Sequence, residues 1–218
     1  MNRPGALVVT LGTGTEVGKT WISARLLELW RGRGVSVAAR KPAQSFDPDD
    51  HQPTDAAVLG AATGEQPEMV CPPRRTYPLA MAPPMAAAAL DRPGFTIDDL
   101  GAEIDFPDGT DVAVVEGAGG LRSPLADDGD NVDLAAALAP TMVVLVADAG
   151  LGTINAVRLG AAVLQDRLLP FVVVLNRFDE REPVHRSNLQ WLCERDGLDV
   201  VPATHDELVR LANRIVSR

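Results

Sequence analysis

Six short aliphatic runs, rich in valine, recur along the chain without the polar alternation of half-exposed strands. They lie at Leu7–Thr10, Val35–Ala39, Val112–Val115, Met142–Ala147, Phe171–Leu175 and, more weakly, Val200–Val201. Strands that are apolar on both sides are buried on both faces, which is typical of a parallel sheet. Stretches with helical spacing separate the runs. The pattern therefore predicts an α/β fold with a doubly wound, mostly parallel sheet and helices on both faces.

Apolar residues at helical spacing predict the helices between these strands. Two sets are the clearest, namely Ile22, Leu26, Leu29 and Trp30, then Ile154, Val157, Leu159, Ala161 and Leu164. Two more helices are expected at roughly 184–195 and 205–217. The segment Pro67–Pro93 holds seven of the 17 prolines, so we expect an elaborated loop with a short helix near Met85–Leu90. A chain of 218 residues is expected to form one domain, residues 1–218.

Charge and residue usage argue against several classes of protein. Thirty acidic residues against twenty basic ones give a net charge of −10, which repels a nucleic-acid backbone, and no basic stripe offsets it. The aliphatic strings fall far short of the roughly 20 residues that span a bilayer. Pro4 and Gly5 interrupt any export leader, and two cysteines and three histidines lack metal-ligand spacing. We therefore expect a cytoplasmic protein that binds neither nucleic acid nor membranes.

A glycine-rich loop, Gly12-Thr13-Gly14-Thr15-Glu16-Val17-Gly18-Lys19-Thr20, follows the first strand and opens the first helix. Glycines allow a tight turn that points several amides at phosphate oxygens, and the helix N-terminus adds partial positive charge. In such a loop Lys19 reaches the β- and γ-phosphates, and the Thr20 hydroxyl binds Mg²⁺. The general pattern is not met in full, because Thr13 takes the place of its first glycine. An ordinary turn with a solvated lysine is the alternative, but the position after a strand favours a nucleotide site.

The string GTGTEVGKT resembles the phosphate loop of the dethiobiotin synthetase family, ATP- and CO₂-dependent enzymes of biotin synthesis in the P-loop NTPase superfamily. That superfamily also holds partitioning ATPases and cobyric acid synthases. The resemblance extends from Leu7 to about Asn176. It implies ATP and Mg²⁺ as cofactors, a homodimer with the active site at its interface, and a Thr15 hydroxyl aimed at the transferred phosphoryl group. It also implies nucleotide contacts from Glu16, Val17, Gly18, Lys19, Thr20 and Trp21.

A second motif, Lys41-Pro42-Ala43-Gln44-Ser45, follows the second strand. A lysine there is often solvated, but α/β sheets bind ligands at the carboxyl edge of their parallel strands. The motif is similar to the family's Lys-Pro-Val-x-Ser/Thr-Gly, whose lysine contacts the substrate carbamate and the γ-phosphate. The resemblance therefore implies that Lys41 is catalytic together with Lys19, and that the Ser45 hydroxyl lies near substrate. Phe46 stands where the family usually has glycine.

The third motif, Thr54-Asp55-Ala56, begins a helical stretch. An aspartate at the start of a helix is most often a cap that needs no function. The family uses an aspartate at this point as a Mg²⁺ ligand, which the resemblance transfers to Asp55. Three nearby carboxylates are alternatives, namely Asp47, Asp49 and Asp50.

The string Glu116-Gly117-Ala118-Gly119-Gly120 ends the third aliphatic run. A carboxylate directly after a buried strand is costly to bury without a partner, and the glycines let the backbone approach a ligand closely. This string is the strongest resemblance after the phosphate loop, and the family's glutamate binds metal. The expected Mg²⁺ ligands are therefore Thr20, Asp55 and Glu116, and the resemblance adds nucleotide contacts from Gly117, Ala118 and Gly119.

Weaker matches lie in the second half of the chain. Leu151-Gly152-Thr153-Ile154-Asn155 resembles the family's helix start, whose amides bind the substrate carboxylate across the dimer interface. It implies substrate contacts from Gly152, Thr153 and Asn155, although Ala156 replaces the usual histidine and a plain crossover helix is the alternative. Asn176 corresponds to the family's adenine-reading asparagine, and Pro202 lies where the family closes over the base. A plain strand-end turn is the alternative for Asn176.

The resemblance implies a concrete reaction. One amine of 7,8-diaminononanoate captures CO₂ as a carbamate, ATP phosphorylates the carbamate, and the second amine closes the ureido ring of dethiobiotin. Phosphoryl transfer requires mainly positioning and neutralisation of charge, which Lys19, Lys41 and Mg²⁺ would supply. Because the second amine is the nucleophile, no serine or cysteine nucleophile is needed.

Two other functions remain open at this point. The first is a nucleotide-driven switch like the partitioning ATPases, which usually carry an additional lysine where this chain has Leu11-Gly12-Thr13. The second is an ATP-binding paralogue with an altered substrate. Phe46 and Ala156 suggest it, as does Ala82-Pro83-Pro84, which stands in place of the family's Ser-Pro-His.

Overall fold

A computed structural model describes residues 3–217. The first half of the chain forms β1 (Ala6–Gly12), α1 (Lys19–Arg31), β2 (Val37–Arg40), β3 (Gln44–Ser45), α2 (Asp55–Thr63), α3 (Pro67–Val70), β4 (Thr76–Tyr77), α4 (Pro83–Ala89) and α5 (Ile97–Glu103). The second half forms β5 (Val112–Glu116), β6 (Pro124–Ala126), β7 (Gly129–Asp130), α6 (Asn131–Leu138), β8 (Met142–Asp148), α7 (Thr153–Asp166), β9 (Phe171–Asn176), α8 (Pro183–Glu194), β10 (Val200–Pro202) and α9 (His205–Val216).

A six-stranded parallel sheet, in the order β10-β9-β8-β1-β5-β2, forms the centre of the molecule. Its strands are the six aliphatic runs, which confirms the predicted α/β fold. Alternate residues of β1 enter separate cores, with Leu7 packed in one and Val8 in the other. Helices α1, α2 and α9 cover the face that contains Val8, and α4 to α8 cover the other. Burial on both faces explains why the runs lack polar alternation.

Two of the predicted elements differ from the structure in detail. The second run begins its strand at Val37, because Val35 directly follows the turn at residues 32–34, in which Gly34 has a φ of 80°. In α7 the apolar residues do not all share one face, because Leu159 is 64% exposed while Val157 is fully buried. Two residues apart on a helix are about 200° apart around its axis, which places the two side chains on opposite sides.

The proline-rich segment Pro67–Pro93 is more regular than expected. It contains α3, a 3₁₀ turn at Pro73–Arg75, β4 and α4, where a loop with one short helix was predicted. The N–H groups in the first turn of a helix have no acceptor within the helix, so a proline there loses no hydrogen bond. This segment has prolines at the starts of α3 and α4. Parallel pairing of β3 with β4 ties the segment to the chain that follows β2.

Two helices, α5 and α6, were not predicted. Both begin with a capping box, in which Thr96 pairs with Asp99 and Asp130 pairs with Asp133. The usual signature has glutamate or glutamine at the third helical position, and both boxes carry aspartate instead. The sequence therefore contains both capping boxes, with aspartate in place of the usual glutamate or glutamine.

Candidate functional site

Three adjacent strands bring the predicted site residues to one edge of the sheet. β1, β5 and β2 are neighbours and run parallel, so their carboxyl ends lie side by side. Gly12 ends β1 and leads into the glycine-rich loop, Glu116 ends β5, and Lys41 directly follows β2. Ligands bind at this edge in open α/β sheets, because the connecting loops and helix N-termini converge there.

The phosphate loop, residues 12–18, depends on glycine at two positions. A Cβ on Gly12 would lie 2.9 Å from the carbonyl oxygen of Gly14. Gly18 has a φ of 92°, and a Cβ on it would lie 2.0 Å from the Asn176 amide nitrogen. The Lys19 ammonium folds back over the loop and donates to the Gly14 carbonyl oxygen at 3.3 Å. Burial, and then the charge of Lys41, lower the pKa of Lys19 to about 8.

Lys41, Asp55, Glu116 and Thr20 form one charged group, called here the Lys41 cluster. The Lys41 ammonium lies 2.6 Å from Asp55 Oδ2 and 2.8 Å from Glu116 Oε1, and it donates to the Gly117 carbonyl oxygen at 3.0 Å. The side chains of Lys41 and Glu116 are 2% and 0% exposed. The cluster thus brings four predicted site residues from α1, α2, β5 and the end of β2 into direct contact.

The charges in the Lys41 cluster shift the pKa values of its members. The Lys41 charge, opposed by burial, lowers the pKa of Asp55 to about 2. Burial by itself would lower the pKa of Lys41, but the charges of Asp55 and Glu116 outweigh it and raise that pKa above its ordinary value. Asp55 is therefore ionised and Lys41 protonated at neutral pH. One ammonium faces two carboxylate side chains.

The Thr20 hydroxyl lies between these carboxylates, with its oxygen 2.7 Å from Asp55 Oδ1 and 2.8 Å from Glu116 Oε1. A hydroxyl has one proton, so Thr20 donates to only one carboxylate at a time. The Lys41 ammonium supplies positive charge beside both carboxylates. Hydroxyl and carboxylate oxygens are the hard donors that Mg²⁺ prefers, so this donor set fits that ion.

Within residues 3–217 there is no group of three or more histidine, cysteine, aspartate or glutamate side chains that could hold a metal by itself. Mg²⁺ sites in nucleotide enzymes commonly use one or two carboxylates together with substrate phosphates and water. Thr20, Asp55 and Glu116 provide one hydroxyl and two carboxylates, the donor types that such a site uses. No helix in the described part of the chain combines the length and hydropathy that a membrane span requires.

Sequence reasoning missed three side chains that support the site. Ser23 donates its hydroxyl proton to Glu116 Oε2 at 2.7 Å. Asn131 holds the backbone after β5, since its amide accepts from Ala118 N at 2.9 Å and donates to the Ala118 carbonyl oxygen at 2.7 Å. Arg177 donates to the Glu16 carbonyl oxygen at 2.7 Å. Only Ser23 could have been found from the sequence, because it lies about one helical turn after Thr20 and therefore on the same face of α1.

The residues expected to bind the base lie beside the phosphate loop. Asn176 ends β9 and donates to the Val17 carbonyl oxygen at 2.9 Å. Pro202 ends β10, where it pairs in register with Leu175, the residue before Asn176. Trp21 is 52% exposed on α1. The structure thus joins Asn176 to the loop, places Pro202 one strand further along the sheet, and leaves Trp21 at the surface.

The predicted substrate residues lie outside the Lys41 cluster. The Ser45 hydroxyl bonds to the Met81 carbonyl oxygen in the proline-rich segment. Gly152 is the N-cap of α7, with a φ of 88° and no side-chain cap. Thr153 is 4% exposed, and its hydroxyl has no hydrogen-bond partner in the described chain. Asn155 is exposed one turn into the helix.

Comparison with known proteins agrees with this site. The family model described as an AAA domain matches residues 6–206. The ATP-dependent dethiobiotin synthetase of Caulobacter vibrioides is 41% identical over 171 residues, which cover 75% of this chain and 76% of that protein. The ATP-dependent dethiobiotin synthetase of Haloferax mediterranei is 40% identical over 197 residues, which cover 87% of this chain and 80% of that protein.

A solved structure shows the same fold at low sequence identity. The cobyrinic acid a,c-diamide synthase from Mycobacterium smegmatis, with bound ADP and magnesium, has a TM-score of 0.54 and 14% identity, and the match covers 97% of this chain and 92% of that one. This likeness concerns the fold alone. The relatives at 40–41% identity extend over most of the chain, and they confirm the resemblance first seen in the phosphate loop. The chain belongs to the family of ATP-dependent dethiobiotin synthetases.

Proposed function

We propose that this chain is an ATP-dependent ligase that makes dethiobiotin from 7,8-diaminononanoate, CO₂ and ATP. One substrate amine takes up CO₂ as a carbamate, the γ-phosphoryl group of ATP passes to a carbamate oxygen, and the second amine attacks the resulting mixed anhydride. That attack forms the second C–N bond of the ureido ring and releases phosphate. The observation that carries the proposal is the Lys41 cluster, because it places a buried cation beside the phosphate loop in a chain of this family.

The phosphate loop and the Lys41 cluster would have different roles in phosphoryl transfer. Backbone amides of residues 12–18 and the Lys19 ammonium would hold the triphosphate. Lys41 would neutralise negative charge on the transferred group and the carbamate, and Thr15 would orient the same group. Lys41 sits where burial strengthens such interactions, since its side chain is 2% exposed. A covalent enzyme nucleophile is unnecessary, because the attacking amine and the carbamate are carried by one substrate molecule.

Thr20, Asp55 and Glu116 would hold Mg²⁺ in this scheme. The ion supplies additional neutralisation of the phosphate charge when it is bound. The donor set supports this assignment, since the Thr20 oxygen lies within 2.8 Å of both carboxylates and has one proton to share. Gly117, Ala118 and Gly119 would contact the nucleotide through their backbone, at a bend that Asn131 holds.

Asn176 and Pro202 would contact the base. Asn176 is held against the loop by its bond to the Val17 carbonyl oxygen, and Gly18 is the residue that permits this approach. Adenine is proposed as the base because the family relatives are ATP-dependent. Glu16 in the phosphate loop and Trp21 in the first turn of α1 would also contribute, and both side chains are exposed.

The start of α7 would bind the carboxylate end of the substrate, with Ser45 nearer the reacting end. Exposed N–H groups at a helix N-terminus attract anions, and this end also holds the buried Thr153 hydroxyl, which has no hydrogen-bond partner in the described part of the chain. Asn155 and Leu159, which is 64% exposed, lie four residues apart on one exposed face of α7, and Leu151, just before the N-cap Gly152, is 90% exposed. We propose that this face meets a second copy of the chain, which would form a homodimer. The two free cysteines, Cys71 and Cys193, suit the reducing cytoplasm, where we place the reaction.

The experiment that tests the function is a diamine-dependence assay. Purified protein is given ATP, Mg²⁺ and bicarbonate, with and without 7,8-diaminononanoate, and phosphate release is measured. The proposal predicts release only when the diamine is present. Equal hydrolysis without it would favour a nucleotide-driven switch, and nucleotide binding without hydrolysis would favour a paralogue with another substrate. Mass detection of dethiobiotin identifies the product directly.

A further inference from the structure

Ser23 makes a contact that no part of the reaction scheme above assigns. It lies on α1 one turn after Thr20 and is fully buried. Its hydroxyl donates to Glu116 Oε2 at 2.7 Å. A serine inside a helix often bonds to the backbone carbonyl four residues earlier or points to solvent, but Ser23 does neither and reaches across to β5.

The two oxygens of Glu116 are thereby given different partners. Oε1 accepts from the Lys41 ammonium at 2.8 Å and lies 2.8 Å from the Thr20 hydroxyl oxygen. Oε2 accepts from Ser23 on its other side. Because Thr20 and Ser23 lie three residues apart on one helix face, α1 contacts the same carboxylate at two points.

The different partners of its two oxygens fix the orientation of the Glu116 carboxylate, which is 0% exposed and has no contact with solvent. A carboxylate group held at one oxygen alone can rotate about its terminal bond, whose preference is broad. The Ser23 bond removes that freedom and keeps Oε1 facing Lys41 and Thr20. It also satisfies an oxygen that would otherwise be buried without a donor.

We propose that Ser23 is a positioning residue of the magnesium site, which acts by holding Glu116 so that Oε1 faces the cation. The inference rests on the proposed role of Glu116 as a metal ligand. Ser23 contacts neither nucleotide nor metal in this account. Partners that orient a metal-binding side chain typically change metal affinity by about 10- to 100-fold when they are removed, and a loss in that range is expected for Ser23→Ala.

Thr10→Val provides a matched control. Thr10 pairs in register with Glu116 on the neighbouring strand β1, is fully buried, and its hydroxyl has no hydrogen-bond partner in the described chain. This variant removes a buried hydroxyl next to Glu116 without removing a bond to it. Ser23→Thr keeps the hydroxyl and tests for rescue.

The test is an electron paramagnetic resonance titration of Mn²⁺ into the complex of the full chain with ADP. The measured quantities are the Mn²⁺ dissociation constant, the ADP affinity in EDTA and the melting temperature. The expected result is weaker Mn²⁺ binding in Ser23→Ala, by about 10- to 100-fold, with metal-free ADP affinity unchanged. Thr10→Val should match the wild type, and Ser23→Thr should recover the affinity if it melts like the wild type.

A further variant, Glu116→Gln, tests the metal role of Glu116 separately from the positioning role of Ser23. If Glu116→Gln loses Mn²⁺ binding while Ser23→Ala binds like the wild type, the role of Ser23 is overturned and the magnesium site stands. A lower melting temperature of Ser23→Ala with unaltered Mn²⁺ affinity would likewise overturn it, because that result describes a purely structural bond. If Glu116→Gln binds Mn²⁺ like the wild type, the metal role of Glu116 fails and the inference fails with it.

Discussion

At the residue scale, the proposed catalytic lysine also supports the stability of the fold. Lys41 is the ammonium partner of both Asp55 and Glu116, and Glu116 has no exposed surface. Removing one partner of a buried ion pair leaves the other charge without compensation, which is far more costly than replacing both partners by apolar groups. The residue proposed to neutralise phosphate is therefore also required to keep two carboxylates compatible with burial.

The variant Lys41→Ala is expected to lose activity and stability together. Diamine-dependent phosphate release should fall by about 100-fold or more, as when a preorganised charge-stabilising donor is removed. The buried Glu116 carboxylate predicts a loss of unfolding free energy of about 3–5 kcal/mol. Steady-state kinetics and urea unfolding measure the two effects.

The double variant Lys41→Met with Glu116→Gln is the matched control for stability. It replaces both buried charges by neutral groups of similar size, so it should regain most of the unfolding free energy without regaining activity. Full turnover by Lys41→Ala would remove Lys41 from the catalytic role. Wild-type stability of Lys41→Ala would show that Glu116 is not charged and buried in solution.

At the scale of helices and strands, the apolar pattern predicted the six sheet strands and the four long helices. A helix buried on one face repeats its apolar residues at helical spacing, and a strand buried on both faces is a continuous apolar run. It also placed Lys41 and Glu116 correctly, since both follow strands whose carboxyl ends share an edge. The pairing of β3 with β4 and the reach of Asn131 to Ala118 were not predictable, because they depend on how distant segments meet. The roles of all the predicted site residues, Ser45, Asn155 and Pro202 among them, stay predictions.

The 3₁₀ turn at Pro73–Arg75 is fastened to α5 by an ion pair that should respond to acid. Arg75 binds Glu103 through two hydrogen bonds of 2.9 and 2.7 Å and stacks 4.1 Å over the Phe95 ring. The hydrogen bond from Arg75 lowers the pKa of Glu103 below its usual 4.5. A carboxylate whose pKa is lower in the folded state contributes stability above the unfolded pKa, and this contribution is lost as pH falls.

The variant Glu103→Gln is therefore expected to be less stable than the wild type at pH 6, by up to about 1 kcal/mol because the pair is only partly buried. The difference should shrink as pH falls below the usual pKa of 4.5. Urea unfolding at several pH values measures it. Glu68→Gln, at an exposed position on α3 with no ion pair within residues 3–217, serves as the control and should change little. An equal gap between Glu103→Gln and wild type at all pH values would contradict the linkage.

At the scale of the whole molecule, the active site is proposed to need a second copy of the chain. Leu159 is exposed on α7, and Leu151 is exposed just before the N-cap Gly152, at the helix end proposed to bind substrate. Next to Leu159 in the chain, Arg158 lies 5.9 Å from the centre of the Trp191 ring on α8. Exposed leucine and tryptophan side chains are typical of a protein interface.

Leu159→Glu is expected to convert the proposed homodimer to a monomer, because it would place an unpaired charge in the proposed interface. Diamine-dependent turnover should be lost while the melting transition of the monomer remains cooperative. Sedimentation velocity measures the mass, and the phosphate assay measures turnover. Leu168→Glu is the matched control, since Leu168 is 90% exposed but follows the opposite end of α7. A wild-type chain that sediments as a monomer with full turnover would overturn the dimer.

The position of β1 in the sheet also affects how the chain folds during synthesis. β1 is synthesised well before its neighbours in the sheet, since Ala6 pairs with Val112 and Val8 with Met142. Closing such long loops is slow, because their entropy is lost before the distant contacts form. The nascent strand β1 therefore stays without its sheet partners until residues 112–148 have been made, and the phosphate loop that follows it cannot be fixed beside them before then.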